Sequence, residues 1–481
     1  MSDTYTNIKK NQLITDLFSG TFGIEIEEHR IQISTRSLSQ HPHADILGNR
    51  RTQPYFQTDF SESQEELVTA PQFSTQKALT HLHELQFMLS TVLANDELIW
   101  PLSMPPHLSV SDIDYLKTHF ERSWYQDYRD VLLKRYGPFQ HIMAGVHVNF
   151  SPTDSIVNWF QEQQQLNSII EAQNTLFFQI AQQIVHYRWF ITYLFGAAPV
   201  SENPDDKIPN DKSKIARSWR ASNFGFTNHS NITIDYLNLT DHITQIKEHL
   251  ADGKLYDKSE FYGPVRLKSS GNLDQLLANG AKYLEFRMFD IDPFAIDGIS
   301  QLALDLLQLL IIDAIINPQT WDNHSLRSAS DRNHVVALQN PSEQLTKENY
   351  LLATQLMIRL KKIVADAPIE SKDRYHNVLH TINTMLQQPL LTISGQLLSH
   401  IDNNNSLITF GMMQATILNS KRKLQNTSNI LSYLKPTLRE TYIQAHYLGW
   451  SIEVLESGNH LKVSHDNKSF ILSEYTDLLT L

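Results

Sequence analysis

Residues 21–30 read TFGIEIEEHR, and their acidic side chains are spaced for chemistry. Glu25 and Glu27 alternate with Ile24 and Ile26, the period of a half-buried strand. Side chains two apart on a strand share a face and stand roughly 7 Å apart. Glu28 adds a third charge one step on. Neighbouring carboxylates repel, so the pattern asks which cation makes it tolerable.

Three more segments raise the same question. In TDFSESQEELVT, residues 58–69, Asp59, Glu62 and Glu66 fall at i, i+3 and i+7. That spacing predicts one helical stripe, with Asp59 able to cap the helix. In AGVHVNFS, residues 144–151, His147 and Asn149 share a face opposite Val146, Val148 and Phe150. In YLEFRMFDIDPF, residues 283–294, Leu284 and Phe286 pack inward while Glu285 and Arg287 face the other way. Carboxylates with a single imidazole select hard cations, Mg²⁺ first, with Mn²⁺ left open. Arg287 suits a carboxylate or phosphate through paired hydrogen bonds. Each segment also has a plainer reading: a solvated strand face, a satisfied core histidine, the wet side of a helix, an ordinary ion pair. Their coincidence favours a shared cation cluster.

The elements that must position these residues follow from periodicity. Alternation predicts strands at 22–27, 143–150 and 282–289, and helical spacing predicts helices at 74–94 and 167–195. Residues 196–214, rich in Pro, Asp, Asn and Lys, read as a long surface loop. Residues 302–435 read as mostly helical, broken near 317–325 and 402–406. The apolar run 302–317 contains Asp305 and Asp313 and is too short to span a bilayer, so it predicts a buried helix. The tail 436–481 offers one helix and short strands at 451–456 and 460–465. The class expected is α+β, with an antiparallel sheet carrying the chemistry and a helical second half.

Composition bounds the function. The chain has 481 residues, 41% of them hydrophobic, ample for a large core. Its net charge is −12 and it has no basic run, which argues against nucleic acid as a partner. It has no Cys, which excludes disulfides, thiolate metal sites and a cysteine nucleophile. The N-terminus lacks the apolar region of a signal peptide, so a cytoplasmic protein without membrane attachment is expected. There is no P-loop, no G-x-G-x-x-G and no G-x-S-x-G. Any ATP is held another way, and its adenine contacts stay unassigned.

Several longer words carry a resemblance. They are GIEIEEHRI, TDFSESQEELVT, WPLSMPP (100–106), RYGPFQHIMAGVHVNFS (135–151), YRWFITYLFGAAP (187–199), SWRASNFGFTN (218–228), EFYGPVRLK (260–268) and YLEFRMFDIDPF. In this order they resemble bacterial glutamate–cysteine ligase across about residues 20–300. The tail YIQAHYLGWSIEVLESGNHLKVSH resembles the connector of bifunctional glutathione-synthesising enzymes, in which an ATP-grasp module follows. This chain stops at Leu481, so the second ligase activity is expected to be absent.

The resemblance implies a glutamine-synthetase-like fold, a curved antiparallel sheet forming a funnel with helices outside. It implies a catalytic unit at 1–435, with the sheet-borne site mainly in 20–300 and a helical part at 302–435, and a small connector-like unit at 436–481. The implied reaction uses ATP to phosphorylate the γ-carboxylate of L-glutamate; the amine of L-cysteine then displaces phosphate. Glu25, Glu27, Asp59, Glu66, His147 and Glu285 would hold the divalent ions. Arg287 and Arg129 would act at the reacting centre. Arg220 would pair with the acceptor's α-carboxylate, and Tyr128, Tyr262, Phe226, His141 and Phe60 would contact substrate. Arg188, Arg266 and Lys268 are candidate phosphate contacts, with ordinary ion pairs the alternative reading of each. A monomer or weak oligomer acting on small molecules is expected.

The sequence departs from the family pattern where the acceptor should sit. Phe226 stands where Tyr is frequent, His141 where Gln is frequent, and Val148 where Tyr is common. A lost hydroxyl changes discrimination where a site is built on hydrogen bonds, so a broader range of amino-acid acceptors stays open. So do a non-catalytic relative that binds nucleotide or amino acid, and an ammonia-using enzyme. Arg220 speaks against the last, because ammonia needs no carboxylate clamp.

Overall fold

The alternation at residues 22–27 extends into a twelve-residue strand, β1 (Thr21–Gln32). The structure is a computed structural model that describes residues 3–50, 52–119, 123–203 and 215–481. Seven more strands join the same sheet: β2 (Ser37–Leu38), β3 (Phe56–Thr58), β4 (Gln64–Val68), β5 (Glu97–Ile99), β6 (Val146–Ser151), β7 (Val265–Lys268) and β8 (Tyr283–Phe289). The order is β3-β4-β1-β6-β8-β7, with β2 and β5 pairing to β1. Every pairing is antiparallel.

The register aligns the acidic residues. Glu25 pairs with His147, Glu27 with Glu66, and Asn149 and Arg266 both with Glu285. Opposite Val146–Val148, β8 carries one extra residue between Phe286 and Phe289. Such a bulge bends the strand and re-aims side chains, and Arg287 lies in it.

The opposite face of the sheet is apolar: Ile24, Ile26, Val146, Val148, Leu284 and Phe286 are all buried. Helix Thr75–Val92 packs on β1 and β4, helix Ile169–Phe195 on β7 and β8, and helix Gln301–Ile316 against both helices. The caps Ser74, Ser168 and Ser300 each accept a hydrogen bond from a backbone N–H in the first turn, which fixes where these helices start. The two acids of Gln301–Ile316 are paired inside the protein, Asp313 with Arg359 at 2.8 Å and Asp305 with Arg374 at 3.0 Å. Among the described residues, no helix is long and apolar enough to cross a membrane.

The α+β class, the antiparallel sheet and the helical second half are as expected. Residues 58–69 are not. They form the β3–β4 hairpin rather than a helix, so the i, i+7 spacing of Asp59 and Glu66 does not make a helical stripe. The Ser- and Asp-rich stretch 59–63 supplies turn chemistry, and the strand starts again at Gln64. Asp59 therefore caps no helix. The strand expected from 143 starts at Val146. The loop read at 196–214 lies, from 204 on, outside the described residues.

The tail forms helix Arg439–Tyr447 and a three-stranded sheet of β9 (Ser451–Leu455), β10 (His460–His465) and β11 (Lys468–Leu472). The third strand was not foreseen. Gln53 Nε2 donates to the His446 carbonyl (2.9 Å), the Tyr55 hydroxyl to the Trp450 carbonyl (3.0 Å), and His81 and His446 meet Nε2 to Nε2 at 2.9 Å.

Candidate active site

One cavity of about 210 Å³ lies on the polar face of the sheet. Glu25 and Glu27 enter it from β1, Glu66 from β4, His147 from β6 and Glu285 from β8, with Asp59 from the hairpin turn. All six residues expected to hold ions thus converge. Ligand atoms of Glu25, His147 and Glu285 lie within 4.8 Å of one another. His147 Nδ1 is 3.5 Å from Glu25 and 3.9 Å from Glu285, and its Nε2 is 3.6 Å from Glu27. Neither imidazole nitrogen has a hydrogen-bond partner among the described residues, nor does Glu285 Oε2.

Glu28 does not belong to this group. It points to the other face of β1, where it accepts a hydrogen bond from Gln86 Nε2 at 3.1 Å. Burial pushes its carboxyl up to about 7. Glu62 also turns away, accepting from the His43 backbone N–H at 2.9 Å beside Arg50.

Electrostatics divide the acids into two kinds. Burial and the charge of Asp59 push Glu27 up to about 8. Burial, then Asp59, Glu25 and Glu27, push Glu66 well above the usual carboxylate range. Burial works against ionised Glu285 too, but Arg287, Lys268 and Arg266 outweigh it and hold it well below that range. Arg287 and Lys268 each lie 3.2 Å from Glu285 Oε1. Burial, with Arg287, lowers His147 to about 4, so the imidazole is neutral and able to act as a ligand.

An aromatic wall closes the other end, formed by Phe60, Tyr128, His141, Phe226 and Tyr262. His141 stacks on Phe60 with ring centres 5.3 Å apart, and Tyr262 packs on Phe226 at 4.5 Å. Arg129 lies 4.4 Å above the Phe60 ring and donates to the Asp59 carbonyl.

Arg220 is placed differently from expectation. It does not line the cavity; it sits behind Phe226, 6.0 Å from that ring, and donates to the Phe289 carbonyl (3.1 Å) and to Asp290 (3.4 Å). Gly145 makes room for it, since a Cβ there would meet Arg220 Nη2 at 1.9 Å. Arg188 also lies outside this cavity.

Arg266 and Lys268 do line it, side by side on β7 with Val265 and Leu267 turned away. The alternation in VRLK carries that signal. Leu132, Ser259 and the structural role of Gly145 were missed, and no spacing rule points to them. An adjoining cavity of about 230 Å³ shares Ser259, Arg266 and Lys268 with the first.

Comparison with known proteins agrees with this geometry. A family model described as glutamate-cysteine ligase matches residues 5–256 and 248–336. The chain is 34% identical over 402 residues to the glutathione biosynthesis bifunctional protein GshAB of Streptococcus agalactiae, covering 83% of this chain and 52% of that protein. It is 31% identical over 464 residues to GshAB of Streptococcus mutans, covering 96% of this chain and 59% of that one. The chain thus spans about half the length of the curated relatives it matches. Among solved structures, a bifunctional glutathione synthetase from Pasteurella multocida superposes with a TM-score of 0.88 at 26% identity, over 97% of this chain and 61% of that one. A glutamate–cysteine ligase from Francisella tularensis, solved in complex with AMP, shares the fold with a TM-score of 0.72 at 21% identity, over 89% of this chain and 97% of that one. With the family model matched across most of its length and its acids gathered on one sheet face, this chain belongs to the glutamate–cysteine ligase family.

Proposed function

We propose that the chain is an ATP-dependent ligase joining the γ-carboxylate of L-glutamate to the amine of L-cysteine, with γ-glutamylcysteine, ADP and phosphate as products. The observation that carries this reading is one cavity lined by six oxygen or imidazole ligands (Glu25, Glu27, Asp59, Glu66, His147, Glu285) and four cations (Arg129, Arg266, Lys268, Arg287). Nucleotide use by this chain rests on the family and on that cavity.

The donor set fits hard divalent ions. The unpartnered nitrogens of His147 and oxygen of Glu285, and the raised Glu27 and Glu66, describe a cluster short of positive charge. Carboxylates with one imidazole suit Mg²⁺, and Mn²⁺ is compatible. When bound, such ions neutralise carboxylate and polyphosphate and let them approach.

The protein's own groups do the rest. Arg287, buried beside Glu285, presents its remaining N–H groups to the transferring phosphoryl group. Arg129 adds charge from the aromatic side. Arg266 and Lys268, common to both cavities, take the phosphates, and the adjoining cavity takes the nucleoside. A γ-carboxylate oxygen of glutamate displaces ADP from the γ-phosphorus of ATP, giving γ-glutamyl phosphate. The acceptor amine then attacks the acyl carbon and phosphate leaves. No protein nucleophile takes part. Residues 1–435 form the catalytic unit and 436–481 a small connector-like one. The reaction suits the cytoplasm, where its small-molecule substrates are found.

A second reading, a broader range of amino-acid acceptors, is favoured by Phe226. Its ring lies 5.4 Å from the guanidinium of Arg287 and 6.0 Å from that of Arg220, and carries no hydroxyl for the acceptor. ADP release should be measured with Mg²⁺, glutamate and each amino acid in turn. Release with cysteine alone rejects the broader reading. Release that is independent of glutamate rejects both.

A further inference from the structure

Glu260, the last residue of the short turn Lys258–Glu260, is completely buried yet does not line the candidate active site. Its carboxylate is where segments that do line the site are tied together. Arg135, near the end of helix Ser123–Tyr136, donates from Nη1 to both carboxylate oxygens, at 2.6 and 2.8 Å. The same guanidinium donates to the Gly253 and Lys254 carbonyls. The Tyr136 hydroxyl donates to Oε1 at 3.0 Å, and the Tyr256 N–H to Oε2 at 2.6 Å. Asn228 Nδ2 donates to the Glu260 carbonyl at 2.6 Å and to the Tyr136 hydroxyl oxygen at 3.3 Å, while its Oδ1 accepts from the Tyr262 N–H at 2.8 Å. Burial, with the charge of Glu260, holds the Tyr136 hydroxyl above its ordinary range, so it stays protonated as a donor.

These partners reach the aromatic wall of the site. Tyr256 stacks on Tyr128 with ring centres 5.7 Å apart. Tyr136 meets Tyr262 edge-on at 5.6 Å and His141 at 5.2 Å. Asn228 fixes the backbone of Tyr262 and stands two residues beyond Phe226. Apolar packing alone would hold these segments together. A buried guanidinium–carboxylate pair with both oxygens engaged also sets their distance and angle. The ion-ligand face is fixed separately, by the register of the sheet.

We propose that Glu260, together with Arg135 and Asn228, is a positioning residue that fixes the aromatic wall against which the acceptor amino acid binds. The assignment rests on the ligase reading above and deepens it: the acceptor end is built as a separate part, keyed to one buried carboxylate. Loosening that key moves Tyr128 and Tyr262 and leaves the acids on the sheet where they are. The loss then falls on the acceptor, and glutamate and the ions are spared.

Steady-state kinetics of the full chain test this, with ADP release followed as cysteine and glutamate are varied in turn. Glu260→Gln sets an amide N–H against the donors of Arg135 and Tyr256. It should raise KM for cysteine at least about tenfold, inside the loss of up to about 10² that a misplacement of roughly 1 Å brings. KM for glutamate and the rise in melting temperature produced by Mg²⁺ should stay as they are. Tyr136→Phe keeps the ring and removes one hydrogen bond; it should move KM for cysteine the same way by less, and serves if Glu260→Gln does not fold. Arg374→Met strips Asp305 of its ion-pair partner and controls for lost stability. It should lower the melting temperature and leave KM for cysteine alone. Hydrogen exchange reads the positioning without turnover: in Glu260→Gln the peptide carrying Tyr262 should exchange faster while residues 21–32 keep their rate. Parallel rises in both KM values, an equal rise in Arg374→Met, or unaltered exchange at Tyr262 overturns the proposal. A wild-type chain that releases no ADP with any amino acid instead rejects the ligase reading, and exchange then decides whether Glu260 fixes the wall.

Discussion

At the scale of single residues, the account rests on charges that have been brought together against their own repulsion. Glu66 shows this most clearly, because burial and three neighbouring acids disfavour its ionised form. Glu66→Gln should leave the melting temperature in EDTA unlowered, yet shrink the rise that Mg²⁺ produces; thermal unfolding with and without the ion measures both. Arg287 is not replaceable by a point charge. Arg287→Lys should lower kcat by about 10²–10³, the usual effect of removing a donor aimed at developing charge, with a smaller change in KM for glutamate. Phe226→Tyr should alter the ratio of kcat/KM among acceptors while KM for glutamate stays put, as acceptor competition assays would report. The aromatic wall and the ion-ligand face meet in one cavity, so such effects are separable by substrate.

At the scale of elements, two buried contacts tie neighbouring elements together. Gly145, just before β6, admits the Arg220 guanidinium, and its carbonyl accepts from the Glu27 N–H at 3.0 Å. Gly145→Ala forces one of these to shift and should destabilise by about 1–3 kcal/mol, the range for overpacking, measurable by urea unfolding. The second contact joins helix Thr75–Val92 to helix Arg439–Tyr447. His446 Nδ1 lies 2.8 Å from the Tyr442 carbonyl and so carries a proton, while His81 Nδ1 accepts from the Ala70 N–H. His81 Nε2–H therefore donates to His446 Nε2, and protonating either ring sets two N–H groups face to face. Burial lowers both, His446 to about 4 and His81 well below its ordinary value. The unfolded chain then takes up protons that the native state refuses. Stability from this pair is present above about pH 6.5 and is lost as pH falls towards 4, by up to about 1.4 kcal/mol per pH unit for each ring. His446→Gln should flatten that part of the stability profile.

At the scale of the whole molecule, what was legible in the sequence and what was not have separate physical causes. Alternation at Glu25/Glu27, His147 and Glu285/Arg287 revealed the strands, because one buried apolar face enforces a strict period of two. The same logic fails at 58–69, where a tight hairpin puts Asp59 and Glu66 into one cavity through register, and a chance i, i+7 spacing mimics a helix. The place of Arg220 behind Phe226 was invisible because it depends on a long-range packing contact with Gly145. The cavity of about 610 Å³ lined by Arg188, between helices Ile169–Phe195 and Asn323–Ala337, left no local signature. The proposed reaction makes a direct demand on the chemistry: glutamate's γ-carboxylate must become a phosphoryl acceptor. The decisive measurement is turnover of glutamate labelled with ¹⁸O in that carboxylate, with ATP, Mg²⁺ and cysteine. The account predicts one labelled oxygen in each phosphate released and no turnover in EDTA; unlabelled phosphate, or undiminished turnover without a divalent ion, contradicts it.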